Sequence, residues 1–367
     1  MNIGFYIDEM NFRGVANSSY NYSLYNQTLL KNKSIIFYNK KNKSNKKEVI
    51  LKFKKKFNVV GVSNFKEIET FNNQFNLSYI YVQKSGNKNQ WSSNEIKTLV
   101  HCVYPQKLKE IHGHKYAYIS HWLSEKFSNN KIPFVPLIVE SHKSKKNLKK
   151  KLKIKKNTTV IGCHGGESSF DLKFVQKTLL QTIKRREDII FLFLNINKFS
   201  NHPRTIFLKG TIDEVKKKNF INTCDAMIYG RSLGESFGLA CAEFSIAGKK
   251  IISYRFNRHR SHIFNLPKNV IKEYSSYNEL LNILVNFDKK KLNNFKKGNK
   301  YLEYTPKKVM KVFNKVFLRN DINTKLSIFD HCVNFLNLSK MHYQYIKHKI
   351  YNHYYRFFES KFIFYKD

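Results

Sequence analysis

Two glutamates in the second half of the chain, Glu235 and Glu243, are the first candidates for chemistry. They lie eight positions apart in residues 226–254, AMIYGRSLGESFGLACAEFSIAGKKIISY. The stretch reads as an apolar strand, a loop with Gly230 and Gly234, a helix opening around Ser236, a closing Gly248 and a second strand. In an open α/β sheet, ligands sit beyond the carboxyl ends of the strands. A helix starting there presents unpaired N–H groups and the positive end of its dipole, which suits a phosphate. Gly230, Gly234 and Gly238 let a ligand approach the backbone closely. Glu235 stands just before the helix and Glu243 about two turns into it, so the two can share a side. Carboxylates so placed accept hydrogen bonds from sugar hydroxyls. Taken alone the pair is weak evidence, because a helix glutamate in a solvated ion pair gives the same spacing.

The whole string is more specific. Glu235-Ser236-Phe237-Gly238-Leu239-Ala240-Cys241-Ala242-Glu243, followed by Gly248 and the apolar run 250–254, resembles the signature of the group 1 family of retaining glycosyltransferases with the GT-B fold. The resemblance implies that Glu235 contacts the donor sugar and that Glu243 binds the nucleotide ribose. It implies that backbone groups at Phe237, Gly238 and Leu239 meet the diphosphate, with Gly234 and Ser236 also on the donor side. It also implies that the family's glycine loop after the first strand falls at Asp8–Asn17, with Gly14 in that place but without the usual second glycine. Arg13 beside it is read either as a phosphate contact or as an exposed surface arginine. His101 falls where family members carry a histidine whose backbone or ring serves the transferred sugar, although a lone histidine is more often structural. Gly165 and Gly166, after another strand, give a second phosphate-approach geometry. The family's Arg near that loop is absent. Lys198 stands in for its Lys, and Arg231 or the basic run Arg255–Arg260 are substitutes for the missing cation.

These residues need a scaffold, and the hydrophobic pattern supplies one. Short apolar runs at residues 1–8, 34–38, 59–62, 77–82, 98–104 and 116–120 alternate with helical stretches. The alternation restarts at 158–163, with strands at 189–196, 205–208, 226–229 and 250–254 and helices at 170–184, 213–224 and 236–247. Such alternation implies right-handed parallel crossovers. The expectation is an α/β chain of GT-B architecture: two Rossmann-like doubly wound parallel-sheet domains facing a cleft, with a helical C-terminal extension. The domains are placed at 1–140 and 141–318, and the extension at 319–367. The lysine-rich residues 141–157 are read as the interdomain connection plus a solvated helix. In the last stretch, positions 343, 346, 350, 354, 357 and 358 follow three- and four-residue steps along one helical face. That face is expected to pack on the protein, the alternative being an anionic membrane surface.

Composition bounds the rest. The 367 residues carry 67 Lys+Arg against 26 Asp+Glu, a formal net charge of +41. Such a charge attracts polyanions. The excess is mostly lysine, scattered along the chain and accompanied by Asn, Ile, Phe and Tyr, as an A/T-rich genome would produce. No nucleic-acid module is recognisable, so no specific nucleic acid is expected as a partner. Five cysteines without metal or redox spacing suggest a reducing compartment. The N-terminus does not read as a signal peptide, and no window of ~18 apolar residues suggests a membrane span. A cytoplasmic protein is expected, with the inner face of the membrane as an option. The expected reaction is transfer from a nucleoside-diphosphate sugar donor to a hydroxyl of a glycan or lipid-linked acceptor, with retention, no cofactor and no metal. Its rivals are a GT-B-like protein that only binds glycans and, behind that, a basic nucleic-acid-binding protein.

Overall fold

A computed structural model describes residues 1–88, 91–140, 144–289, 298–319 and 326–362, with only the backbone for 348 and 351–362. The chain divides into two compact units. The first comprises Met1–Glu140 and Lys300–Leu338, and the second Ser141–Asn299 and Ser339–Asp367.

The first unit is built on β1 (Asn2–Ile7), β2 (Lys33–Asn39), β3 (Asn58–Val62), β4 (Tyr79–Lys84), β5 (Thr98–Cys102) and β6 (Lys115–Tyr118), with helices α1 (Gly14–Thr28), α2 (Lys47–Lys54), α3 (Asn72–Phe75) and α4 (His121–Ser128) between or after them. All pairings within the sheet are parallel, in the order β3-β2-β1-β4-β5-β6. The central strands are buried on both faces, which is why they read as unbroken apolar runs rather than alternating ones. α4 starts where Ser120 accepts a hydrogen bond from the Leu123 amide, a side-chain N-cap.

The second unit repeats the plan with β7 (Thr159–His164), β8 (Ile189–Leu194), β9 (Thr205–Leu208), β10 (Ala226–Tyr229), β12 (Lys250–Tyr254) and β14 (Ile271–Tyr274). A two-residue ladder, β11 (Gly234–Glu235) with β13 (His259–Arg260), lies outside the main sheet. The helices are α5 (Lys173–Arg185), α6 (Glu214–Thr223), α7 (Leu239–Ile246), α8 (Ser261–Asn265) and α9 (Tyr277–Val285). The sheet is again wholly parallel, in the order β14-β12-β10-β7-β8-β9. Both sheets therefore follow the doubly wound order in which the chain runs outward from one strand and then returns to that strand's other side.

Three expectations change. Residues 300–318 belong with the first unit rather than the second. There α10 (Pro306–Phe313) buries Val309, Met310 and Phe313, and Phe313 stacks on Tyr22 at 5.3 Å between ring centroids. The lysine-rich connection is not a helix in its described part, residues 144–157. It is a series of turns tied to α6, where Asn222 donates to the Ser144 and Lys146 carbonyls and the Leu148 amide donates to Thr223. The C-terminal segment is one long helix, α11 (Ile328–Phe362). Its face at Tyr343, Ile346 and Ile350 is exposed rather than packed on the protein. The remaining stripe positions, 354, 357 and 358, lie outside the residues whose side chains are described. Among the described residues, no helix is long and apolar enough to cross a membrane.

Candidate functional site

In the second unit the winding direction changes between β7 and β10, and that is where the chemistry-bearing residues gather. β7 ends in His164 and β10 in Tyr229, so both point the chain to the same end of the sheet. After β10 the chain passes Arg231 and enters β11, where Gly234 pairs with His259 and Glu235 with Arg260. Gly234 has φ +74°, and a Cβ there would lie 2.0 Å from the His259 carbonyl oxygen, so only glycine fits this ladder. Gly238 follows as the N-cap of α7 with φ +91°, turning the chain into the helix without a side-chain cap. The first amides of α7 are thus left for water or a ligand rather than for a capping residue.

Glu243 projects from the second turn of α7 and is nearly buried. Its Oε1 accepts a hydrogen bond from Lys217 Nζ at 2.7 Å. Its Oε2 lies 2.9 Å from His164 Nε2, and both atoms are closed to solvent. Lys217 stands on α6, which Asp213 caps by accepting from the Val215 and Lys216 amides, and it also meets Glu214 at 2.7 Å. Burial opposes the charge on Glu243, but Lys217 and then His164 outweigh it and hold the carboxyl below its ordinary value. Burial likewise pulls the Lys217 ammonium down, and Glu243 and Glu214 more than reverse it. The result is a preformed anionic acceptor at the carboxyl end of the sheet. His164 also stacks on Phe244, one residue beyond Glu243, at 5.6 Å.

Glu235 is fixed by different partners. Its Oε1 accepts from the Tyr229 hydroxyl at 2.8 Å and faces Arg231 Nη1 at 3.3 Å. Tyr229 has its pKa raised by burial and then by Glu235, so it stays a donor. The loop carrying Arg231 is anchored by Asp171, which accepts from the Ser232 amide at 2.7 Å and its hydroxyl at 2.5 Å. Asn257 adds a hydrogen bond to the Arg231 carbonyl at 2.6 Å. Phe237 is buried, whereas Ser236 and Leu239 are partly open.

The other expected residues fare unevenly. His101 is fully buried in the first unit. Its Nε2 is 2.8 Å from the Val135 carbonyl, which can only accept, so Nε2 carries the proton and Nδ1 receives the Tyr81 hydroxyl at 2.6 Å. Tyr22, Tyr81 and Phe317 enclose the ring. Burial lowers its pKa to about 3. It is a core histidine with both ring nitrogens engaged, which corrects the sugar-contacting role expected for its ring. Arg13 is exposed and faces Glu9 at 3.7 Å, the bland alternative for that side chain. Gly14 opens α1, and a Cβ there would meet nothing within 4 Å, so the fold itself does not demand glycine. Gly165 and Gly166 do follow β7, but the next helix starts only at Lys173, so they do not form a strand–glycine–helix phosphate loop. Gly165 instead accepts from Asn195 at 2.7 Å. Lys198 is exposed in the segment after β8. Lys217 and His164 were not selected from sequence. The signal for His164 was its position as the last residue before Gly165-Gly166, whereas Lys217 sits among Lys216 and Lys218 and nothing in the sequence distinguishes it.

No family model matches the chain, and no curated protein matches it in sequence. Solved structures do. A glycosyltransferase from Rickettsia africae aligns with a TM-score of 0.64 at 13% identity, covering 87% of this chain and 99% of that one. HepE from Anabaena, in complex with UDP and glucose, aligns with a TM-score of 0.63 at 11% identity, covering 86% and 98%. A candidate UDP-N-acetylglucosamine 2-epimerase from Listeria monocytogenes aligns with a TM-score of 0.51 at 10% identity, covering 89% and 99%. The chain has the GT-B fold. At these identities the likeness establishes architecture, and the chemistry rests on the residues just described.

Proposed function

We propose that the chain transfers a sugar from a nucleoside-diphosphate sugar to an acceptor hydroxyl, and that its second unit holds the donor. The observation that carries this reading is the Lys217–Glu243–His164 cluster at the point where the second sheet reverses its winding. The Glu243 carboxylate, held charged by Lys217, suits a pair of ribose hydroxyls. Glu235, held by Tyr229 and Arg231, suits hydroxyls of the donor sugar. The opening amides of α7 behind Gly238 and the Arg231 guanidinium suit the diphosphate, whose growing charge is the main electrostatic demand as the sugar leaves. HepE, named with UDP and glucose, supports a uridine donor. Retention at the anomeric carbon, independence of a metal, and a glycan or lipid-linked acceptor such as a surface polysaccharide or lipopolysaccharide precursor complete the proposal.

Glu243→Gln keeps the shape of the side chain but removes its charge. Charge-assisted hydrogen bonds contribute about 1.5–3 kcal/mol, so donor affinity is expected to fall roughly tenfold to a hundredfold. Calorimetric titration with UDP-, GDP- and ADP-sugars measures this and identifies the base. Unchanged affinity in a folded Glu243→Gln protein removes the ribose role. Product analysis then separates transfer from the 2-epimerisation named for the Listeria protein. Transfer yields free nucleoside diphosphate and a longer glycan, whereas epimerisation leaves the nucleotide sugar intact in mass.

A further inference from the structure

The long helix α11 is amphipathic in an inverted sense. Over its first three turns the side facing the protein is polar, with Met341 the next buried residue along it, and the exposed side is largely apolar. Asn334 donates to the carbonyls of Gln106 and Phe127 at 2.9 and 2.8 Å, and Asn337 donates to that of Lys126 at 2.7 Å. Asp330, one turn earlier, is buried and accepts from the Ser327 amide and hydroxyl. On the opposite side Phe329, Leu336, Tyr343 and Ile350 recur every seven residues, each between 63% and 65% exposed, with Ile346 between the last two. A surface helix normally turns such a stripe to the core. A continuous exposed apolar stripe of this kind marks a surface that something covers.

The charge pattern selects the occupant. With Phe329, Leu336, Tyr343 and Ile350 in the first heptad position, the flanking positions are Val333, Lys340 and Lys347 on one side and Ile328, Phe335, His342 and Lys349 on the other, so the flanks turn basic from residue 340 onward. The three lysines are exposed. Residues 331–358 contain no Asp or Glu. A second copy laid along this helix would set lysine against lysine across the seam from residue 340 onward, and Cys332 and Ser339 would take two of the seven central positions between 329 and 350. An anionic bilayer reverses that balance. Its headgroups attract the lysines on both flanks while the stripe enters the boundary between headgroups and acyl chains. We propose that α11 is a peripheral membrane anchor that lies in the plane of an anionic bilayer, with Leu336, Tyr343, Ile346 and Ile350 inserted and Lys340, Lys347 and Lys349 at the headgroups.

The test is flotation of the full chain with phosphatidylcholine vesicles, with and without phosphatidylglycerol. The full chain is expected to float with the phosphatidylglycerol vesicles and to remain below with phosphatidylcholine alone. Leu336→Asp/Ile346→Asp is expected to weaken partition roughly tenfold or more. Lys340→Gln/Lys347→Gln/Lys349→Gln is expected to weaken it on the order of a hundredfold. All five positions are exposed, so both variants should keep the parent's circular dichroism and melting temperature, which is checked first. The proposal is overturned if the full chain floats with neither vesicle. It is also overturned if the aspartate variant floats as well as the parent, since binding would then rest on diffuse positive charge. Sedimentation equilibrium supplies the last outcome: a dimer abolished by Leu336→Asp/Ile346→Asp, in a chain that ignores vesicles, hands the stripe to a second copy.

Discussion

The first sheet carries His101 near the end of β5 and the second carries His164 at the end of β7. The two sheets are wound in the same order, yet the histidines meet opposite surroundings. His101 is walled in by Tyr22, Tyr81 and Phe317, with both nitrogens committed to neighbours. His164 lies beside an ionised glutamate that a buried lysine holds in place, at a strand end where the winding reverses. One histidine completes a core and the other helps to form an acceptor. Topology separates them too: β5 lies two strands out from β1, where the first sheet reverses, whereas β7 is the strand at which the second sheet reverses. The difference teaches that a histidine takes its role from the place of its strand in the sheet and from the charges set beside it, not from its residue type. The charged cluster can be tested piece by piece.

Lys217→Met should break the contrast most severely. It leaves Glu243 and Glu214 without their shared cation in a nearly buried setting. Removing one partner of a buried ion pair costs about 3–5 kcal/mol, and the partial exposure of Glu214 favours the lower end. A thermal melt of the second unit should therefore move down clearly, and donor binding should weaken with it. Adding Glu243→Gln should recover most of the stability but none of the binding. If Lys217→Met melts like the parent, the cluster is effectively solvated and the second site is no more organised than the first.

A pH series sharpens the other side. The His101 pKa is about 3 in the fold and about 6.5 when unfolded, so the unfolded chain binds the extra proton between those values. Stability is then fully present above about pH 6.5 and is lost as pH falls toward 3. At pH 5 the loss from this residue is about 2 kcal/mol relative to pH 7. Both tryptophans, Trp91 and Trp122, belong to the first unit, so their fluorescence during urea unfolding follows that unit separately. His101→Leu is expected to lower stability at pH 7 and to flatten most of the decline between pH 7 and 5. An equally steep decline in the variant would place the acid-sensitive group elsewhere.

Much of this was legible in sequence, and the unread parts have definite causes. The central strands announced themselves because parallel strands buried on both faces are apolar throughout. Residues 226–254 fell on a strand, loop, helix and strand as read, because Gly234 and Gly238 mark positions where the backbone must take positive φ. Lys217 was invisible because its importance lies in a contact 26 positions away, and the sequence around it offers three consecutive lysines. His101 misled because burial cannot be read from a single residue type. The orientation of α11 was inverted for a related reason: periodicity identifies an apolar face but does not say which way it points. Its buried side is held by asparagines reaching backbone carbonyls that no pattern of hydrophobicity records.

The smallest expected effect concerns Gly14, and it probes whether the first unit takes part in donor binding at all. Gly14 opens α1 with a φ outside the left-handed region, and a methyl group added there would meet no atom of the protein within 4 Å. Glycine in a helix costs up to about 1 kcal/mol relative to alanine, with less at the first position. The fold gives no steric reason for glycine here, so the substitution tests whether a ligand does. Gly14→Ala should raise the stability of the first unit by about 0.5 kcal/mol while lowering affinity for the nucleotide sugar several-fold. Tryptophan-monitored unfolding and calorimetric titration give the two numbers on one sample. If stability rises and affinity is unchanged, Gly14 has no part in holding the donor, and the contrast between the two units is sharper still.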